Sequence, residues 1–350
     1  MGKYIKIPNI SFSSDNLGQV TLKNTINDIG LGKTIVIPNI SFASNNLGKV
    51  HILNEHYFEY FTIESLEDNN TISTVKAKSC SINPVIYYSI DNGETWSQKT
   101  VSSSTTTIAT INTGDKLLLK STNENWATAW DTYNKITGSK NFKVYGNIMS
   151  LLNGDNFISN SKFNNGSTHN FAGLFYEVTT LTDASDLIMP ALTCKSSSYN
   201  GMFRGCTNLT TAPELPAINS AQDCYSSMFE GCINLEIAPE INLENMSQAC
   251  CKRMFCMNRS SKITTPKMTK SPILRCTQGA ANCYEEMFKG NGNLTEVTCL
   301  LTSNVSCTTN WLLNVSSTGV FIKSPLKTNW ALGNVNSVPS GWTVEDYVEE

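Results

Sequence analysis

MFRGCTNLTTAPE, Met202 to Glu214, and MFEGCINLEIAPE, Met228 to Glu240, agree at nine of 13 positions at an offset of 26 residues. A third copy, MFKGNGNLTEV, starts at Met287, and weaker copies begin at Leu174-Phe175 and Met254-Phe255. Cys224, Cys250 and Cys283 each stand five residues before the Phe of a copy, and Cys307 holds the same place before Leu312. A period of this length signals a solenoid: one unit cannot bury its apolar side alone, but stacked units place like residues above one another. The expected ladders are Phe203, Phe229, Phe255 and Phe288; Leu209, Leu235 and Leu294; and the cysteine column. Each buried Phe or Leu contributes roughly 1.5–3 kcal/mol. Asn208, Asn234 and Asn293 precede the ladder Leu, where a side-chain amide can bond the backbone of the turn between coils. From Phe255 to Phe288 the spacing stretches to 33, which predicts a loop or bulge between Cys256 and Cys276.

Upstream, residues 58–155 read as short strands separated by turn signals. PVIYYSI leads through Asp91-Asn92-Gly93 into ETWSQKTV; TTTIATI leads through Thr113-Gly114-Asp115 into KLLLKST; NFKVYGNIMSLL closes the region. Six or seven such strands predict a small antiparallel sandwich. Ser89 to Trp96 fits the pattern S-x-D-x-G-x-T-W, an Asp-box known from sialidases. Sialidase propellers carry several copies, whereas this chain has one. The box is read as a hairpin device, with Asp capping the turn, Gly at positive φ and Trp packed beneath.

Another repetition opens the chain. IPNISFSSDNLGQV, Ile7 to Val20, recurs as IPNISFASNNLGKV, Ile37 to Val50, with 11 of 14 positions identical. Residues 1–57 hold no Cys and split into two similar halves, too little for an independent core. Extended segments of this kind gain order by adding to a neighbour, with alternate side chains filling pockets. The anchoring residues expected on this reading are Ile7, Ile10, Phe12, Leu17 and Val20, and in the second copy Ile37, Ile40, Phe42, Leu47 and Val50. Two tethered docking sites raise avidity by about 10²–10⁴ over one. The plainer alternative is a duplicated hairpin belonging to the sandwich.

Composition narrows the function classes. The chain has 350 residues, 16% of them charged, and a net charge of −3, a weak field for recruiting nucleic acid or anionic lipid. Polarity comes instead from neutral side chains, including 40 Asn. No window approaches 18 apolar residues, so no membrane insertion is expected. MGKYIKIPNI lacks the basic and apolar regions of a signal peptide, which sets the expectation of synthesis in a cytoplasm. Eleven of the 12 Cys lie between Cys194 and Cys307 without a CxxC pair, so buried free thiols are expected rather than zinc ligands or disulfides. No cofactor is implied. Carboxylates are scattered, and no Cys-His or Ser-His-Asp grouping argues for an enzyme.

The unit MFxGCxNLTxAPELPA resembles the leucine-rich repeats of BspA-like surface proteins of Bacteroidales and of the phages that infect them, over about residues 170–315. WLLNVSSTGVFIKSP and NVNSVPSGWTVEDY are similar to the closing segment of that family, and YYSIDNGETW to the β-domain that precedes its repeats. The doubled arm is similar to short N-terminal motifs of tail-fibre-like phage proteins. The resemblance implies a mainly β chain: an extended N-terminal arm (1–57), a small β-sandwich (58–155), an irregular leucine-rich-repeat solenoid (156–315) and a C-terminal cap (316–350). In the cap, Trp311, Trp330 and Trp342 would cover the last coil.

The function implied is that of a virion structural protein, a head or tail fibre or surface decoration. Its partners would be capsid, portal-vertex or tail proteins, a second or third copy of itself, and a host surface glycan or protein, or mucus. The alternative is a bacterial BspA-like cell-surface adhesin. Tyr199, Tyr225, Lys252 and Tyr284 are candidate recognition residues on the repeats; ordinary solvated side chains are the simpler reading of each.

Overall fold

A computed structural model describes residues 55–349 apart from 78, 130, 165, 258–265, 304, 328, 329 and 335. The protein is mainly β, with several sheets, no barrel and one short helix among these residues. Nine strands come first: β1 (Phe61–Ser65), β2 (Asn70–Lys76), β3 (Val85–Ser89), β4 (Ser97–Thr100), β5 (Thr105–Ile111), β6 (Lys116–Lys120), β7 (Ala127–Ala129), β8 (Thr132–Gly138) and β9 (Phe142–Asn147). Helix α1 (Ser150–Asn153) follows. Then come β10 (Leu181–Asp183), β11 (Leu187–Ile188), β12 (Glu296–Cys299), β13 (Gly319–Lys323) and β14 (Trp342–Asp346).

Alternation explains the first two sheets. In β6, KLLLK, Leu117 and Leu119 are buried while Lys116 is exposed. One sheet runs β10-β9-β1-β6-β3-β4, with β11 also on β9; the other runs β5-β2-β8-β7. Inward residues of both, such as Ile63, Ile86 and Leu119 from one and Ile72, Ile108 and Ile136 from the other, belong to a single core cluster. The turns fall where the sequence placed them, at residues 91–93 and 113–115.

That core does not stop at residue 155. Strand β9 pairs in parallel with β10 and β11, so the first sheet leads directly into the repeats. The Phe142 amide donates to the Thr180 carbonyl and the Ile148 amide to that of Ile188. The Phe61 ring, in β1, lies 6.2 Å from Phe175, the first rung of the aromatic ladder. Residues Phe58–Glu350 form one compact unit.

Within the repeats the rings stack. Phe175, Phe203, Phe229, Phe255 and Phe288 follow one another at 5.4, 5.4, 5.6 and 5.8 Å with planes within 11° of parallel. Leu209, Leu235 and Leu294 are fully buried alongside. Asn234 donates its side-chain amide to the Thr207 carbonyl, and Asn293 to that of Pro266, tying each turn to the coil before it. The stretched repeat does not break the ladder. The Phe255 amide still donates to the Met287 carbonyl, at an offset of 32 where Phe229 reaches Met254 at 25. The extra residues fall between two intact rungs.

The backbone conformation of these coils is not that of a strand. The amides of Asp223, Tyr225, Ser227, Phe229 and Gly231 donate to carbonyls of the next coil, Gln248 to Cys256. The amides between them, Cys224, Ser226, Met228, Glu230 and Cys232, each close a turn on the carbonyl three residues back. Every fourth residue takes positive φ: Asp223, Ser227 and Gly231 here, Ser197, Gly201 and Gly205 in the coil before. Each of these amides is thereby satisfied although the segment is neither helix nor sheet.

The parallel pairing extends beyond residue 315. Strand β12 pairs with β13, and β13 with β14, so the tail adds two further rungs. Trp311, Trp330 and Trp342 are buried there; Trp311 stacks on Trp330 at 5.6 Å, and the Trp342 indole donates to the Ser316 carbonyl.

Candidate interaction surface

The four-residue turn period decides which repeat side chains are available to a partner. It points residues inward in pairs four apart: Cys224-Tyr225, Met228-Phe229 and Cys232 in one coil, and Cys283-Tyr284 and Met287-Phe288 in a later one. Tyr199, Tyr225 and Tyr284 are therefore core residues, which corrects their assignment as surface candidates. Tyr199 stacks between Phe171 at 5.9 Å and Tyr225 at 5.7 Å. Burial raises the pKa of all three phenols well above the ordinary tyrosine value. The signal was present in the spacing CYSSMFEGC, whose apolar pairs repeat every four residues.

Lys252 is half-buried and pairs with Glu285 at 2.9 Å. Beside it, ion pairs join the coils, Arg204 with Glu230 and Arg253 with Glu286, and Glu286 also pairs with Lys289 of its own coil. Burial pushes the Glu286 carboxyl up, but hydrogen bonds from Lys289 and Arg253 outweigh it and hold its pKa below the usual range. These charges are matched against one another along the stack.

All twelve cysteines are buried thiols. Cys206 donates to the Phe175 carbonyl and Cys232 to that of Phe203, both at 3.0 Å. Burial lifts the Cys206 and Cys299 thiols to about 12, which keeps them protonated and unreactive. Among the described residues, no group of three His, Cys, Asp or Glu side chains is placed to hold a metal ion. No helix there is long and apolar enough to cross a membrane.

The Asp-box forms the hairpin device expected. Ser89 Oγ donates to Asp91 at 2.6 Å and accepts from the Gly93 amide; Asp91 accepts from the Thr95 amide at 3.0 Å; the Trp96 indole donates to the Gly93 carbonyl. Lys120 lies 3.9 Å above the Trp96 ring, Tyr60 meets that ring edge-on at 4.9 Å, and Asp155 accepts from both Lys120 and Tyr60. The exposed half of Trp96 is thus engaged internally. Hydrogen bonds from Ser89 and Thr95 hold the Asp91 carboxyl down at about 2.

A recess opens beside one column of the repeats. Parallel bridges join Thr193, Asn219 and Asn245 in one column, and Gln278 to Ser303 in its continuation. Among the described residues, no bridge joins Asn245 to Gln278 across the stretched repeat. A hollow of about 330 Å³ opens there, lined by Glu244, Asn245, Met246, Cys276, Thr277, Gln278, Gly279 and Ala280. Cys276, buried among them, donates to the Gln278 carbonyl at 3.1 Å. These residues were not singled out by motif, and residues 258–265 of the loop expected between Cys256 and Cys276 lie outside the described residues.

The arm residues Ile7, Ile10, Phe12, Leu17, Val20, Ile37, Ile40, Phe42, Leu47 and Val50 lie outside the described residues. No protein-family model, curated protein or solved structure matches the chain.

Proposed function

We propose that this chain is a bacteriophage virion structural protein, a head or tail fibre or decoration, that anchors through its N-terminal arm and displays a leucine-rich-repeat solenoid for adhesion to a bacterial surface or mucus. The observation that carries this reading is the doubled Ile7–Val20 and Ile37–Val50 motif, which precedes the stacked repeats in the sequence. A pair of equal docking elements suits a partner that itself repeats, such as a capsid or tail lattice. The stacked coils support the display role. Their aromatic ladder, matched ion pairs and buried thiols are consumed by structure, which leaves the outer faces free to vary. The reading is of a binding protein rather than an enzyme.

The test is deletion of residues 1–55. Particles of the phage that encodes the chain, lacking their own copy, are mixed with full-length or shortened protein and separated by sedimentation. Full-length protein is expected on particles and the shortened form in the supernatant. Equal incorporation of both forms excludes anchoring by the arm. Binding of the full chain to a bacterial envelope but to no particle favours the cell-surface adhesin instead.

A further inference from the structure

We propose that the hollow at the stretched repeat is a saccharide subsite that takes one neutral hexose or N-acetylhexosamine unit; this deepens the adhesion reading above and rests on it. The backbone of the walls is bonded to the neighbouring coils, and the side chains of Glu244, Asn245, Thr277 and Gln278 stand exposed at the gap. Glu244 offers a carboxylate acceptor, Asn245 and Gln278 offer amides that donate and accept, and Thr277 a hydroxyl that does both. Adjacent sugar hydroxyls, each both donor and acceptor, match such a mixed set. Met246 and Ala280 add apolar surface for the C–H face of a ring.

The dimensions favour a single unit. The inter-coil ladder resumes at Ala249, whose amide donates to the Ala281 carbonyl at 2.9 Å, and the Cys276 thiol reaches the Glu244 carbonyl at 3.5 Å. The volume of about 330 Å³ sits at the small end of the range of ligand pockets. The Glu244 carboxylate sets the charge preference: a sialic or uronic acid would bring a second carboxylate against it, at a cost in affinity.

Saturation-transfer NMR on the full chain tests this, with N-acetylglucosamine, galactose, glucuronic acid and N-acetylneuraminic acid as probes. Transfer is expected to a neutral sugar and not to the acidic pair. Asn245→Ala and Gln278→Ala should each weaken it about tenfold, the loss of one well-placed hydrogen bond, whereas Ser185→Ala, on a distant turn, should not. No transfer to either neutral sugar, or transfer unchanged in both variants, overturns the subsite. Adsorption of the same proteins to bacterial cells separates the two proposals. Adsorption unchanged in the variants removes the subsite and leaves the display reading standing; no adsorption by the unmodified chain removes the display reading itself.

Discussion

Gly146 and Gly231 hold the same torsion, φ +79°, for different reasons. At Gly231 an added Cβ would meet its neighbours at ordinary distances, the nearest being 3.6 Å away, so only the left-handed backbone requires glycine. Gly231→Ala is expected to cost about 1–2 kcal/mol. At Gly146, where β9 turns toward the first coil, the Cβ would stand 2.1 Å from the Tyr60 carbonyl oxygen. Gly146→Ala should cost well over about 3 kcal/mol, beyond the range of backbone strain alone. Urea unfolding of both variants measures the difference, and equal losses would refute the close approach. Tyr199 supplies a second contrast. Its hydroxyl is buried without a hydrogen-bond partner. Tyr199→Phe is therefore expected to stabilise by about 1 kcal/mol, while Tyr199→Ala should cost about 3–5 kcal/mol. A surface tyrosine would show neither effect. The misplacement of this residue in the sequence reading has a physical source. The 26-residue period does not show which side chains face inward; only the four-residue spacing of apolar pairs inside a coil does, with Ser, Asp or Ala at positive φ between them.

At the level of single elements, the Asp-box hairpin gives a pH dependence of defined sign. The folded Asp91 carboxyl titrates at about 2, below the ordinary value of about 3.9. Its contribution to stability is thus complete above the unfolded value and is lost as pH falls through the window from about 4 to about 2. Thermal unfolding followed across that window should show Asp91→Asn with a shallower acid decline than the unmodified protein. An identical decline would mean that the cap is not formed. Glu286 acts in the same direction, since Arg253 and Lys289 hold it ionised. This hairpin was legible from eight residues because its side chains bond within it. The ion pair between coils was not, because Arg253 and Glu286 are 33 residues apart and meet only once the coils stack.

Across the whole molecule, the repeats, the Phe and Leu ladders and the strand-rich first half could be read from the sequence. Their continuity could not. The pairing of β9 with β10 and β11 is made by short segments with no periodic pattern of their own, and it joins the sheet to the first coil. A chain ended after residue 155 would leave the edge of β9 unpaired. That fragment is expected to self-associate or aggregate, while residues 58–350 remain monodisperse by size-exclusion chromatography; a stable monomeric fragment would show that the join is dispensable. The recess beside Gln278 belongs to this scale as well, since Asn245 and Gln278 are 33 residues apart and face each other only once the coils stack. The virion assignment is tested most directly by a reconstruction of the phage particle at a resolution that traces this chain. The account predicts residues 1–55 lying against neighbouring capsid, portal-vertex or tail subunits, each copy of the doubled motif on an equivalent site. A particle without this chain, or a chain held to the particle through its repeats with residues 1–55 touching no other subunit, would contradict it.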